Sequence, residues 1–175
     1  GLITIPGKGY IKFTPGNNRQ DQAWKMLSKV EYFDDNNLLQ NTYNLIYTHE
    51  SMHPFLSEIT KTDGTETIRY RKFNYNTGLP GYSSYSQDIW GYYNGKYNTS
   101  LYPDIPEFRR VNGVVYLPGN RDVNEKAKAG SIKEIIYPTG GKTVFEFENN
   151  KVFNNTSGVS FVRTNGRHYH EGFGE

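Results

Sequence analysis

The stretch LSEITKTDGTETIRYRKFNYN, residues 56–76, indicates the fold of this chain. Apolar and polar residues alternate on both sides of the Asp63-Gly64 pair, and alternation with a period of two is the pattern of a half-buried β-strand. Asp-Gly also supplies the left-handed backbone that a tight hairpin turn requires. The segment therefore predicts two antiparallel strands that meet at Asp63-Gly64.

Two other segments repeat this pattern, LSKVEYFDDNNLLQNTYNLIY at 27–47 and GSIKEIIYPTGGKTVFEFENN at 130–150. Each has an alternating strand, a turn of Asp, Asn or Gly, and a second alternating strand. The three segments do not start at a fixed spacing, which argues for repeated hairpins and against a solenoid. We predict an all-β fold in which antiparallel β-hairpins or a meander form a sheet or a sandwich-like segment.

The composition agrees with this fold class. The chain has 15 Tyr, 10 Phe and 2 Trp, so that 27 of its 175 residues are aromatic, and it also has 18 Gly. Aromatic enrichment with many turn residues is typical of all-β proteins. The length favours one β-rich domain over residues 1–175, as a fragment of a larger protein, with a long loop insertion at about 77–129.

Two short helical turns are predicted beside the strands. The first lies near 20–28, where DQAWKMLSKV places several apolar residues at helical spacing. The second lies near 122–129, where Asp122 can cap the first turn and Gly130 can end it.

Charge, cysteine content and hydropathy exclude several classes of protein. The net charge is only +2 and no basic stripe is visible, which argues against a nucleic-acid partner. The chain has no Cys, which excludes disulfides and thiolate metal sites. No apolar run approaches the ~20 residues that a membrane-spanning helix needs.

No motif for catalysis stands out. Gly141-Lys142-Thr143 matches the end of a phosphate-binding loop, but Ile136 occupies the place of the required first glycine and a strand pattern follows. Asp88, Asp104 and Glu107 are the acids nearest to aromatic residues, and nothing in their spacing distinguishes a glycosidase pair from capping and surface acids. We predict that the chain is not an enzyme.

Metal sites are also weakly indicated. His168 and His170 share a face if they lie on a strand, with Glu171 behind them, but no third ligand is identifiable. Asp34 to Asn37 resemble the start of a calcium loop without its glycine and distal glutamate. We predict a hairpin turn at 34–37, no metal and no other cofactor.

The stretch YSQDIWGYYNGKYNTSLY, residues 85–102, has two interpretations. Trp90, Tyr92, Tyr93 and Tyr97 could form an exposed ligand-binding face on which sugar rings stack. Alternatively, the aromatic rings fold inward and pack the long loop against the hairpin sheet. We expect the second, with Trp90 mostly buried and its indole N–H hydrogen-bonded.

Three consecutive segments carry a likeness to a known family: RYRKFNYN, then YSSYSQDIWGYYNGKYNTSLYP, then NRDVNEKAKAGSIKEIIYPTGGKTVFEFE. They resemble the region ahead of or among the repeats of bacterial RHS/YD-repeat proteins. In that family a D-x-W-G-Y-Y-N-G segment, an N-R segment and a GSLKKITYPTGG-like hairpin occur in this order. The likeness covers roughly residues 27–148, and the matching residues are Asp88, Trp90 to Gly95, Asn120-Arg121 and Gly130 to Gly141.

The resemblance implies a non-enzymatic role in a large, secreted or cell-surface bacterial protein whose repeats wind into a hollow shell. No residue here matches the self-cleaving aspartate site of that family. The Tyr-Asp repeats are degenerate, as in YFDDNN and TKTDGT, which suggests a flanking domain. The implied partner is the remainder of the parent chain. The alternative function is a carbohydrate-binding module that uses residues 85–102 to bind a glycan or another cell-surface partner.

Overall fold

The computed structural model describes residues 1–102, 110–111, 114–115 and 118–148. Of these residues 50% lie in strands and 3% in a helical turn, so the predicted all-β class is confirmed. The strands are β1 (Leu2–Ile5), β2 (Gly9–Asn18), β3 (Lys25–Phe33), β4 (Leu39–Glu50), β5 (His53–Asp63), β6 (Glu66–Tyr75), β7 (Arg110–Val111), β8 (Val114–Val115), β9 (Ile132–Ile136) and β10 (Lys142–Val144).

Eight of these strands form one antiparallel sheet in the order β1-β2-β3-β4-β5-β6-β9-β10. Strands that follow one another in sequence are neighbours in this sheet, except that β6 pairs with β9 across residues 76–131. β7 and β8 form a separate two-stranded pair. The predicted antiparallel meander is therefore confirmed.

The chain divides into two compact units. The sheet unit comprises Gly1–Tyr75 and Ile132–Phe145. The insertion unit comprises Asn76–Ser131 together with the residues from Glu146 onward. The insertion predicted at about 77–129 falls inside the second unit.

All three predicted hairpins are present. In the β3–β4 turn, Asp34 Oδ1 accepts hydrogen bonds from the backbone N–H groups of Asn36 and Leu38, each at 2.9 Å. Gly64 in the β5–β6 turn and Gly140 in the β9–β10 turn have φ values of 59° and 84°, the left-handed conformation that favours glycine. The PTGGKT segment is thus a hairpin turn followed by β10.

The helical turn predicted near 122–129 is a single 3-10 turn over Glu125–Lys128. Its cap is Asn124, whose Oδ1 accepts a hydrogen bond from the backbone N–H of Lys126 at 2.6 Å. The predicted cap, Asp122, lies before this turn.

The helical turn predicted near 20–28 is wrong. Residues from Lys25 onward belong to β3, which pairs with β2 on one side and β4 on the other. Two ladders of hydrogen bonds outweigh the weak preference of a short amphipathic pattern for helix. Trp24 is 73% exposed and does not form part of a buried helical face. In the loop before β3, the Arg19 guanidinium donates two hydrogen bonds to the Asp21 carboxylate, at 2.7 and 2.6 Å.

Residues directly opposite each other on antiparallel strands share a face of the sheet, so the register defines two faces. One, here called the apolar face, carries half-buried side chains of Ile11, Phe13, Val30, Tyr32, Tyr43, Leu45, Ile59, Phe73 and Ile135, together with the polar side chains of Asn41, Lys61 and Arg71. The other, the polar face, carries Lys12, Lys29, Glu31, Thr42, Asn44, Thr60, Thr62, Thr67 and Arg69. The sheet is therefore amphipathic across at least five strands.

Glu134 links the last strands of the sheet. Its carboxylate accepts a hydrogen bond from Asn74 Nδ2 at 2.7 Å and lies 2.8 Å from Lys142 Nζ. Hydrogen bonding to Lys142 and then to Asn74 lowers the pKa of the Glu134 carboxyl below its ordinary value of 4.5.

Candidate functional site

The aromatic loop, residues 82–102, presents most of its aromatic side chains to solvent. Trp90 is 49% exposed and Tyr97 is 96% exposed. Tyr93 is half-buried beside an isolated antiparallel bridge to Gln87. The exposed aromatic residues of the loop are Tyr82, Tyr85, Trp90, Tyr92, Tyr97 and Tyr102.

The prediction that Trp90 is mostly buried is wrong, and a tight turn is the reason. The backbone N–H of Gly91 donates to the carbonyl oxygen of Asp88 at 3.1 Å, which closes a turn over residues 88–91. Trp90 is the third residue of that turn, so its side chain projects from the apex. The stretch brings Trp90, Tyr92 and Tyr97 to the surface.

The side chain of Asp88, and not an aromatic ring, is buried beneath this turn. Its side chain is 0% exposed, and its Oδ1 accepts hydrogen bonds from the backbone N–H groups of Trp90 and Tyr92 at 2.8 and 2.9 Å. The Asp88 N–H donates to the Tyr92 carbonyl oxygen at 2.8 Å. Asp88 Oδ2 is buried and has no hydrogen-bond donor among the described residues. The carboxylate is a structural acceptor for the turn that carries Trp90.

Arg121 holds the same turn from a distant part of the chain. Its Nε donates to the backbone oxygen of Asp88 at 2.9 Å, and its Nη2 donates to that same oxygen. Its Nη1 donates to the backbone oxygen of Leu101 at 2.6 Å. One guanidinium group therefore ties the beginning of the aromatic loop to its end.

Asn94 is the second fully buried side chain of the loop, at 0% exposure. Its Nδ2 donates to the backbone oxygen of Asn120 at 2.7 Å, and its Oδ1 accepts from the N–H of Lys96 at 3.1 Å. Its own N–H donates to the Ser86 carbonyl oxygen at 3.2 Å. Asn94 thus connects three separate backbone segments.

Asn98 completes this polar network. Its Nδ2 donates to the backbone oxygens of Tyr85 and Asn120 at 3.1 and 2.9 Å, and its Oδ1 accepts from the N–H of Asn120 at 2.8 Å. Gly119 precedes Asn120 and lies so close to the Ser100 carbonyl oxygen that a Cβ would overlap it. The path of residues 118–121 against the loop therefore requires glycine at this point.

The sequence marked Asn120 and Arg121 only as parts of a motif and Asp88 also as a candidate glycosidase acid, and it assigned no role to Asn98. The available signal was the concentration of Asn residues next to Gly and Arg, because Asn side chains often bond to nearby backbone. Asp88 Oδ1 is committed to the backbone N–H groups of Trp90 and Tyr92. Asp104 and Glu107 lie outside the described residues.

The described residues contain no group of three His, Cys, Asp or Glu side chains that could hold a metal ion. His168, His170 and Glu171 lie outside them. Within the same described residues, no helix is long and apolar enough to cross a membrane.

Comparison with protein-family models, curated proteins and solved structures finds no match. The likeness to RHS/YD-repeat proteins remains a prediction from the sequence.

Proposed function

We propose that this chain is a non-catalytic structural segment of a large, secreted or surface-associated RHS-like bacterial protein. The observation that carries the proposal is the amphipathic part of the sheet, β2–β6 and β9, in which mostly aromatic and aliphatic side chains lie on one face and charged side chains and threonines on the other.

The apolar face supports this role because a sheet with one hydrophobic face is stabilised by burying that face against a second layer. Among the described residues, Val123 is the one buried hydrophobic residue, and it lies in the insertion unit. Side chains of the apolar face, such as Phe13, Val30 and Leu45, are only half-buried. Fully burying such a side chain contributes about 1.5–3 kcal/mol relative to leaving it exposed, so a covering layer from the parent chain would be strongly favoured.

The polar face is suited to water. Lys29 Nζ lies 2.9 Å from Glu31 Oε1, and Arg69 Nε lies 3.3 Å from Glu58 Oε1. Thr62 and Thr67 hydroxyls are 2.8 Å apart on neighbouring strands. The Arg69–Glu58 and Thr62–Thr67 pairs join neighbouring strands, whereas Lys29 and the buried Glu31 both lie on β3. Cross-strand polar pairs stabilise a solvated surface, which fits the outer side of a shell wall.

Two adjacent substitutions on β4 test the proposal. Leu45 lies on the apolar face and Asn44 on the polar face, and both are half-buried. We expect Leu45→Asp to abolish protease-resistant parent protein at the cell surface or in the medium, because it places a charge under the covering layer. Asn44→Asp, which lies opposite Lys29, should leave the yield unchanged.

The same two variants of the isolated 175-residue chain are the control. There, both should keep the β-rich circular dichroism spectrum, because no parent layer covers Leu45. Equal effects of the two substitutions in the parent protein would contradict the proposal. The proposal would also be contradicted if the parent reading frame encoded a small cytoplasmic protein, with no export signal upstream and no YD repeats downstream.

A further inference from the structure

We propose that the aromatic loop, residues 82–102, is a carbohydrate-binding surface on which pyranose rings stack against Trp90, Tyr92 and Tyr97. This activity goes beyond the structural role of the sheet and belongs to the insertion unit alone. It would give a shell segment a means of attaching to polysaccharide.

The first support is exposure. Six aromatic side chains within 82–102 are solvent-exposed, including Tyr97 at 96% and Trp90 at 49%. A run of exposed aromatic residues in one short segment is unusual for a surface without a ligand, whereas scattered apolar residues need no explanation. Tyr and Trp combine a flat apolar face with a polar edge, which suits a ligand that is itself partly apolar and partly polar.

The second support is preorganisation. The buried Asp88 carboxylate fixes the backbone of Trp90 and Tyr92, and the buried Asn94 amide fixes the backbone of Lys96 next to Tyr97. Arg121 closes the loop by bonding to both Asp88 and Leu101. A backbone that is already ordered loses little conformational entropy on binding, and this is a general requirement for an effective binding site.

The charge of the loop indicates the class of ligand. Stacked nucleobases would also suit aromatic rings, but single-stranded nucleic acid is bound in grooves that are positively charged along the backbone. Residues 82–102 contain a single cationic side chain, Lys96; of the cations beside the loop, Arg121 donates to the backbone oxygens of Asp88 and Leu101, and Lys126 lies against Gly95. A pyranose ring has no such charge, and its C–H bonds can meet the electron-rich faces of Trp90 and Tyr92 while its hydroxyl groups reach the Tyr edges. Neutral polysaccharides are therefore the favoured ligands.

The test uses the full 175-residue chain, with affinity electrophoresis and calorimetry against barley β-glucan, laminarin, chitohexaose and galactan. We expect at least one of these to bind, and Trp90→Ala to weaken that binding by about tenfold or more, the range of a lost stacking contact. Tyr97→Ala should weaken it to a lesser extent.

Trp24→Ala is the matched control. Trp24 is 73% exposed but lies in the sheet unit, so its loss should leave the affinity unchanged. In a Trp24→Phe background, tryptophan fluorescence reports Trp90 alone, and saturable quenching by the bound glycan is expected. Circular dichroism of each variant checks that the fold is retained, which is expected because about half of the Trp90 side chain is already exposed.

Three results would overturn the proposal. One is the absence of binding to all four glycans at millimolar concentration. Another is binding that Trp90→Ala does not weaken in a folded variant. The third is tighter binding of the single-stranded probe poly(dT) than of any glycan, which would assign the loop to nucleic acid. Loss of glycan binding leaves the Leu45 and Asn44 comparison untouched, so the two proposals fail separately.

Discussion

Asp88 and Asn94 stabilise the aromatic loop through hydrogen bonds instead of apolar packing. Each is fully buried, and each accepts or donates bonds that fix the backbone at positions two to four residues away. A buried polar group is favourable only when it is paired, because an unpaired one costs about 1–3 kcal/mol. The exposed rings of Trp90 and Tyr92 thus depend on a polar interior beneath them.

Removing the Asp88 carboxylate should loosen this turn. Asp88→Ala leaves the N–H groups of Trp90 and Tyr92 without their acceptor, at a cost of about 1–3 kcal/mol in local opening. We expect hydrogen exchange at these two amides to accelerate on the order of 10- to 100-fold, while exchange in β4 and β5 stays the same. Unchanged exchange at Trp90 would contradict a structural role for the carboxylate.

Glu125→Ala provides the control for this experiment. The Glu125 side chain is 89% exposed and lies 4.0 Å from Lys128, so its contribution to stability is small. Its removal should not change exchange at Trp90 or Tyr92.

The sequence identified the residues of this site better than their roles. Asp88, Trp90, Asn120 and Arg121 are all visible as a motif, yet Trp90 is exposed where burial was predicted. The decisive contact joins Arg121 to Asp88, 33 positions apart, and no local pattern predicts such a pair. The bonds that form the turn and expose Trp90 are local, whereas the bond that ties this turn to the rest of the loop comes from a distant residue.

At the scale of strands, hairpins were predictable because each carries its own turn chemistry. Asp63-Gly64 and Gly140 mark two of the turns directly, and both have left-handed backbone at the glycine. The hairpin β1–β2 was not predicted, and neither was the β2–β3 pairing, in which Pro15 and Gly16 interrupt the alternation of β2 at a register shift. The helix predicted near 20–28 failed for a related reason: pairing with β2 and β4 decides the state of β3, and pairing partners are not a local property.

The edge hairpin β9–β10 should respond to acid through Glu134. The pKa of this carboxyl is lower in the folded chain than in the unfolded chain, chiefly because of Lys142. Its contribution to stability is therefore present above the unfolded pKa of about 4.3 and is lost as the pH falls through the lower folded pKa.

Lys142→Gln should raise the pKa of Glu134 toward 4.5, so that the loss of stability begins at a higher pH. Carbon-detected NMR titration of the carboxyl group measures this change. Lys133→Gln should raise the pKa less, because Lys133 acts on Glu134 only through weaker charge attraction. Equal rises in the two variants would show that the 2.8 Å contact with Lys142 has no special effect.

At the scale of the whole molecule, the insertion unit occupies the loop of the β6–β9 hairpin. Tyr75 and Ile132 are cross-strand partners, and the backbone oxygen of Asn76 accepts from the N–H of Gly130 at 2.7 Å. If two residues replaced residues 77–129, this bond would become the closing bond of an ordinary two-residue hairpin turn. Length and composition suggested an insertion here, but only the register shows how close its ends are.

Replacing residues 77–129 with Asn-Gly should leave the sheet unit folded. Asn-Gly adopts the left-handed backbone of a tight hairpin turn, and a shorter connection lowers the entropic cost of closing the loop. We expect a β-rich circular dichroism spectrum and unchanged hydrogen-exchange protection in β4 and β5. Replacement by Pro-Pro, which cannot adopt that backbone, should destabilise β9 and β10. A disordered Asn-Gly variant would mean that the sheet needs the insertion unit to fold.

The β6–β9 pairing also means that β6 is synthesised well before the strand with which it pairs. A ribosome completes β6 before it makes residues 76–131 and then β9, and at about 5–20 residues per second this interval lasts on the order of 3–10 s. For that time the outer edge of β6 has no β9 to pair with, and open strand edges invite aggregation. β6 carries Arg69, Arg71 and Lys72 in its ten residues, and cationic side chains are a known protection for such an edge. The positive charge of β6 is therefore of the kind that protects an open strand edge until β9 has been made.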